Sequence, residues 1–292
     1  MFDRIAGFRP RVVNGVLEVP VYHMRGGTST GVVFWAEHLP RDPALREEAI
    51  RRVMGAPAAG EITGNKQTTG LGRGVTTSNK VFIVDRAADE EADITSTLAQ
   101  VTADKAAIDW SVNCGNMSAA LPLYALDAGL IEASVGETRV RIFNTNTGVL
   151  TAATVRTPDG TPFIPPDTEI PGVNGRFPGV ELSLRDPVGS KTGHLLPTGR
   201  PIDRFAGVDV SCVDVAVPMV IARAVDVGRT GHESAEELGR DAGLKERLRA
   251  IWVEAGLAMG LRKPNGEAMT ADDLARSETI PKVCLIAEPA GD

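Results

Sequence analysis

Two side chains in this 292-residue sequence are placed for proton chemistry. Lys80 heads the apolar run Lys80-Val81-Phe82-Ile83-Val84, and Cys114 sits in the turn Asn113-Cys114-Gly115-Asn116, ahead of an almost wholly apolar stretch. A lysine at the head of a buried strand is partly desolvated and could serve as a base, although lysines at strand edges more often carry their amine out to water. The first turn of a buried helix offers unpaired N–H groups and a partial positive charge, which favour a bound carboxylate or a thiolate. A third feature is Arg25-Gly26-Gly27-Thr28-Ser29-Thr30-Gly31, between two apolar runs. By itself it reads as a hairpin turn; its glycines, hydroxyls and N–H groups could also hold a carboxylate.

The elements that must position these groups follow from patterning. Residues 111–131 have almost no polar face, so a helix near 116–129 must be enclosed by its own domain. Gly129 is placed to stop it, and Pro122 fits a first turn or forces a kink. Strands are expected at 16–24, 32–35, 80–84, 94–101, 139–144 and 149–156, and a helix runs from Asp42-Pro43 to Met54, closed by Gly55. Residues 61–79 form a long polar loop. Its Gly70, Gly72 and Gly74 are not a dinucleotide loop, because a strand follows instead of a helix. The prolines and glycines of 157–178 suggest an extended inter-domain link.

In the second half, strands are expected at 180–184, 208–215, 219–225 and 282–287. Ser234 and Glu237 make a capping box, and Leu244, Leu248, Ile251, Trp252, Ala255 and Met259 share one helical face. Each half thus shows a strand pair, helical material and a Lys-Val strand. The second is followed only by Glu288-Pro289-Ala290-Gly291-Asp292. Either the repeat is only apparent, or the chain lacks a second central helix.

Composition excludes several classes. Hydrophobic residues make up 42% and charged residues 24%, as in ordinary globular proteins. The formal charge of −7 argues against general nucleic-acid affinity. The three cysteines, Cys114, Cys212 and Cys284, give no disulfide framework and suit a reducing cytoplasm. No stretch has the apolar length of a membrane span, the first residues lack a signal-peptide pattern, and no metal-ligand spacing is present.

Four motifs in one order carry a resemblance: residues 24–29, Thr77-Ser78-Asn79-Lys80-Val81, Asn113-Cys114-Gly115-Asn116 with Ser118-Ala119, and residues 192–199. Together they resemble the PrpF-like family of methylaconitate cis–trans isomerase, methylitaconate isomerase and 4-oxalomesaconate tautomerase. That resemblance implies an α+β, diaminopimelate-epimerase-like fold with two similar domains, here 1–184 and 185–292, each wrapping a curved, mostly antiparallel sheet around a central helix. It also implies cofactor-free movement of a proton and a double bond on a small di- or tricarboxylic acid. Lys80 matches the acid/base position and Cys114 the second acid/base or orienting group. Arg25, Gly26, Gly27, Thr28, Ser29, Ser78, Asn113, Gly115, Asn116 and Met117 match the substrate-binding positions. Three departures stand out: Asn79 separates the Thr-Ser pair from Lys80, Val217-Pro218 replaces an expected Asn-Pro, and members of the family continue into a second helix-bearing segment. The resemblance thus implies a second domain that is incomplete as given, its apolar sheet face without a helix and Lys80 and Cys114 open to solvent where a cleft wall is missing, or a neighbouring copy covering the gap in a homodimer. The competing readings are a non-catalytic, ligand-binding or truncated form of the fold and, ranked last, a racemase with two facing cysteines.

Overall fold

The computed structural model describes residues 9–65, 68–110, 113–162, 164–185, 187–263, 265–277 and 280–290. Ser111, which opens the apolar stretch, and the final Gly291 and Asp292 lie outside the described residues. The chain forms two compact units, residues 1–185 and 186–292.

The first unit opens with a two-stranded ribbon, β1 (Arg11–Val13) and β2 (Val16–Glu18). The strand expected over 16–24 therefore breaks in two, with Pro20 in the gap, where a residue without an N–H cannot continue a ladder. A seven-stranded sheet follows. Its strands are β3 (Tyr22–Gly26), β4 (Ser29–Trp35), β5 (Lys80–Arg86), β6 (Ile94–Gln100), β7 (Gly136–Asn144), β8 (Val149–Thr157) and β11 (Val180–Leu184), in spatial order β11-β8-β7-β6-β5-β4-β3. Residues 157–178 are not an inter-domain link. They make an excursion within the first unit, carrying the small ribbon β9 (Thr168–Glu169) and β10 (Arg176–Phe177), and return as β11 beside β8. A surface excursion and a linker share one composition, because both must solvate their backbone.

Helix α1 (Pro43–Met54) covers one face of β4 and β5, with Ile50 and Met54 packed on Val32, Phe34, Val81 and Ile83. Asp42 caps it by accepting from the Leu45 N–H at 2.9 Å. The other face holds α2 (Gly115–Ser118) and α3 (Ala120–Asp127). The expected single helix is broken at Ala119 because Pro122 has no N–H to give to the Ser118 carbonyl. Gly129 follows α3 in the left-handed conformation, φ 72°, as its stop position requires. Tyr124 of α3 meets Tyr22 of β3 edge to face at 5.0 Å.

All seven strands send a side chain to this helix, from Tyr22 and Met24 on β3 to Val180 and Leu182 on β11. Seven flat strands would span roughly 29 Å, and a helix is only about 10 Å across, so the sheet has to curl around it. The curl separates β6 from β7 after Ser96, where their pairing ends. The Asn146 carboxamide fills that gap. Its Oδ1 accepts from the Leu98 N–H at 2.7 Å, and its Nδ2 donates to the carbonyls of Leu98 (2.9 Å) and Trp110 (2.6 Å).

The second unit has a four-stranded sheet of β12 (Asp203–Phe205), β13 (Val208–Val215), β14 (Val217–Arg223) and β15 (Lys282–Ile286), in that order, with β14 and β15 parallel. Pro218 sits in β14 before the pairing with β15 begins, where its missing N–H interrupts nothing on that side. Helices α4 (Ala235–Arg240), α5 (Ala242–Ala258) and α6 (Ala271–Arg276) all pack on one face, over Val210, Cys212, Val220 and Ala222. The Ser234–Glu237 box caps α4 as expected. The motif at 192–199 and the residues before it fold around the fully buried Asp214 carboxylate. That group accepts from Ser190 Oγ (3.0 Å), from the N–H groups of Lys191 and Thr192 (2.8 Å each) and from Thr192 Oγ1 (2.9 Å).

The opposite face of this sheet carries Val213, Val215, Met219, Ile221, Cys284 and Ile286. These side chains are half-buried or exposed, Val215 and Ile286 at 42% and 50%. Among the described residues of this unit no helix lies on that face, and the helical stretch 242–258 sits on the side equivalent to that of α1.

Candidate active site

The hairpin β3–β4 turns in two residues, Gly27 and Thr28, so Arg25, Gly26, Ser29, Thr30 and Gly31 belong to strands and not to a loop. The turn lies against the start of α2. Asn116 Nδ2 donates to Thr28 Oγ1 at 3.0 Å, and Ser29 Oγ and Cys114 Sγ are 3.7 Å apart. Gly26 makes this contact sterically possible: a Cβ there would stand 2.2 Å from the Asn116 carbonyl oxygen. Its described role is therefore close approach of backbone to backbone.

Cys114 is the N-cap of α2, its sulfur accepting from the Met117 N–H at 3.4 Å. Asn113 Oδ1 accepts from the Cys114 N–H at 2.7 Å, and Ser118 Oγ donates to the Cys114 carbonyl at 2.8 Å, so the turn is fixed on both sides of the thiol. Met117 reaches the turn differently from the other expected binding positions. Its side chain is wholly buried in the core against Val33, Phe82 and Leu121, which leaves only its backbone at the turn.

Lys80 opens β5 and is 8% exposed. Phe82 and Val84, which share its face of the strand, pack on α2–α3, so Lys80 lies on the sheet face that carries the helix start. Its cross-strand partner on β4 is Gly31, where a Cβ would come within 2.1 Å of the Lys80 carbonyl oxygen. Lys80 Nζ donates to Gln100 Oε1 at 2.5 Å and has no acidic partner among the described residues. Gln100 did not stand out in the sequence, because its partnership depends on the β5–β6 register, which pairs it with Lys80.

The intervening Asn79 points to the other face. Buried there, it accepts the Arg73 N–H at 2.9 Å and so pins the long loop to the strand head. Ser78 ends a short 3-10 turn at Thr76–Ser78 and makes no described side-chain bond.

A cavity of about 350 Å³ is lined by Arg25, Gly26, Gly27, Gly115 and Asn116, together with Ala119, Leu123, Phe177 and Val180 among other apolar neighbours. It brings five of the expected binding residues together; Lys80, Cys114, Thr28, Ser29, Ser78 and Asn113 do not line it. On β3, His23 is held below the usual histidine range by burial and then by the charges of Arg73 and Arg25. Cys212 is fully buried, and desolvation and then Asp203 push its thiol up to about 12, which removes it as a second acid/base cysteine. Among the described residues no helix is long and apolar enough to cross a membrane, and no group of three or more His, Cys, Asp or Glu is placed to hold a metal ion.

In sequence and overall fold the chain resembles known isomerases and tautomerases. The chain is 38% identical to 4-oxalomesaconate tautomerase of Pseudomonas putida over 94% of its own length and 72% of that protein's. It is 32% identical to 3-methylitaconate isomerase of Eubacterium barkeri, over 94% of this chain and 70% of that one. The crystal structure of methylitaconate-delta-isomerase superposes with a TM-score of 0.72 at 31% identity, covering 87% of this chain and 72% of the other. The α+β architecture of a curved sheet around a central helix is the one found in the first unit. Residues 16–291 match the family model described as PrpF protein, and the chain belongs to the PrpF family, whose curated relatives are isomerases and tautomerases.

Proposed function

We propose that this protein moves a proton, and with it a carbon–carbon double bond, on a small di- or tricarboxylic acid of the oxalomesaconate, methylitaconate or methylaconitate type. The observation that carries the reading is a buried lysine, uncompensated by any described acid, on the same sheet face as a helix start packed against a polar hairpin turn. Removing a proton next to a carboxylate drives negative charge onto that carboxylate. The first N–H groups of a helix, which have no intrahelical acceptor, are suited to stabilise it. Lys80 in its neutral form takes the proton, Cys114 delivers or orients one at the other end of the allylic system, and Arg25 with Gly26, Gly27, Thr28 and Ser29 holds a second carboxylate. Every step is a proton transfer, so the chemistry calls for no cofactor.

The test is incubation with each of the three acids in deuterium oxide. Deuterium entering the allylic position together with the shifted double bond supports the reading. Binding without exchange for all three would replace it with a non-catalytic carboxylate-binding role.

A further inference from the structure

We infer that Gln100 is the positioning residue of Lys80, holding the amine through a neutral acceptor and joining it to the segment that leads to Cys114. The catalytic meaning of that role rests on the reading of Lys80 as acid/base; the positioning itself does not.

The orientation of the Gln100 amide is not free. Its Nε2 faces three carbonyls, those of Thr76 (3.2 Å), Asn79 (3.2 Å) and Val101 (3.1 Å). Turning the amide over would aim Oε1 at these three oxygens and its N–H groups at the lysine ammonium, two repulsions in a site that is 8% exposed. Oε1 is therefore committed to Lys80, at 2.5 Å. The same residue exchanges both backbone hydrogen bonds with Asp109, each at 3.0 Å, and so ties the end of β6 to the segment that runs on to Asn113 and Cys114.

The residue type matters as much as its place. A carboxylate at position 100 would neutralise the amine and set a charged oxygen against the three carbonyls. An apolar side chain would leave the amine without its acceptor and take a donor from each of the three carbonyls, of which that of Asn79 keeps the Val101 N–H at 3.1 Å. A carboxamide alone accepts from the lysine, donates to the carbonyls and leaves the ammonium charge unpaired.

The experiment uses the full chain with Gln100→Leu, Gln100→Glu and Lys80→Ala. Two readouts are taken: the rate of Lys80 acetylation by acetic anhydride relative to Lys105, mapped by peptide mass, and kcat, KM and the pH–rate profile with whichever of the three acids is turned over. With the amine released in Gln100→Leu, Lys80 acetylation relative to Lys105 rises at least threefold, and kcat falls about 10²-fold while KM stays within about threefold. Gln100→Glu, nearly isosteric, moves the acid limb of the pH–rate profile to higher pH; a merely structural role would lower thermal stability without moving that limb. Should Gln100→Leu fail to fold, the same two readouts on Gln100→Glu decide, with Lys80 acetylation expected to fall. Unchanged acetylation and an unchanged pH–rate profile in the folded variants would overturn the inference. If Lys80→Ala keeps its exchange activity while Gln100→Leu still alters Lys80 acetylation, the base assignment fails and the positioning role stands.

Discussion

Residues 22–86 and 208–286 follow the same path: an antiparallel hairpin, a 3-10 turn, helical material on one face, and a strand returning parallel to the second hairpin strand. The match extends to register, for Gly31 faces Lys80 across β4–β5 and Met219 faces Lys282 across β14–β15. What surrounds this shared core differs. In the first unit β6 continues the sheet beyond β5, and α2–α3 cover its second face; Lys80 is consequently buried and bonded to Gln100. In the second unit β15 has no described strand on its far side, and Lys282 is exposed with no described hydrogen bond. The hairpin turns differ as well. Gly27 and Thr28 face a helix start, whereas Val215-Ala216-Val217 closes its turn with Ala216 at φ 61°. The repeated strand pair supplies a lysine at the strand head, and the neighbouring strand and helix make one of the two a candidate base.

The largest effect should come from that contrast. Lys80→Ala is expected to lose about 10²–10⁴-fold in solvent-deuterium exchange on the substrate. Lys282→Ala should stay within about twofold, and equal losses would erase the distinction between the units. Next comes packing. Met117→Ala empties a closed core and should cost about 2–5 kcal/mol, but Ile221→Ala, on the half-exposed face, should cost about 1 kcal/mol or less in urea unfolding. Trp35 and Trp110 report on the first unit and Trp252 on the second, so with Trp252 replaced by phenylalanine fluorescence follows the first unit alone. In iodoacetamide labelling Cys212 should stay unmodified while Cys114 and Cys284 react, and only Cys114 should be protected by a bound tricarboxylate. Replacing Ala216 by glycine should relieve a left-handed alanine and stabilise the second unit by about 1 kcal/mol.

The smallest effect concerns His23. Its folded value lies below 6.5, so its contribution to stability is present above that pH and is lost as pH falls through 6.5 toward the lowered value. An NMR titration should place it below 6.5, moving upward when a tricarboxylate offsets Arg25 and Arg73.

Much of this was legible because local rules are strong. Asp42-Pro43, the continuous apolar runs of β4 and β5, and an all-apolar run behind Asn113-Cys114 each specify an element whatever surrounds them. The linker assigned to 157–178 failed because composition records solvation and not destination. Helix α6 escaped notice because its signal is one capping box, Thr270 with Asp273, over six residues. The partnership of Gln100 with Lys80 was invisible for a different reason. It is a contact across 20 residues that exists only once two strands settle into one register.

Asn146 has a consequence measured in time. The amide hydrogen of Leu98 sits within the sheet, yet its acceptor is a side-chain oxygen and not a neighbouring strand. Its exchange with deuterated solvent would be gated by rotation of one carboxamide, a local event with its own opening free energy, and not by strand separation. Leu98 should therefore exchange faster than the backbone-paired amides around it. With aspartate at 146 its rate should change with pH while theirs do not. A single hydrogen would then report how firmly the curled sheet is closed over its helix.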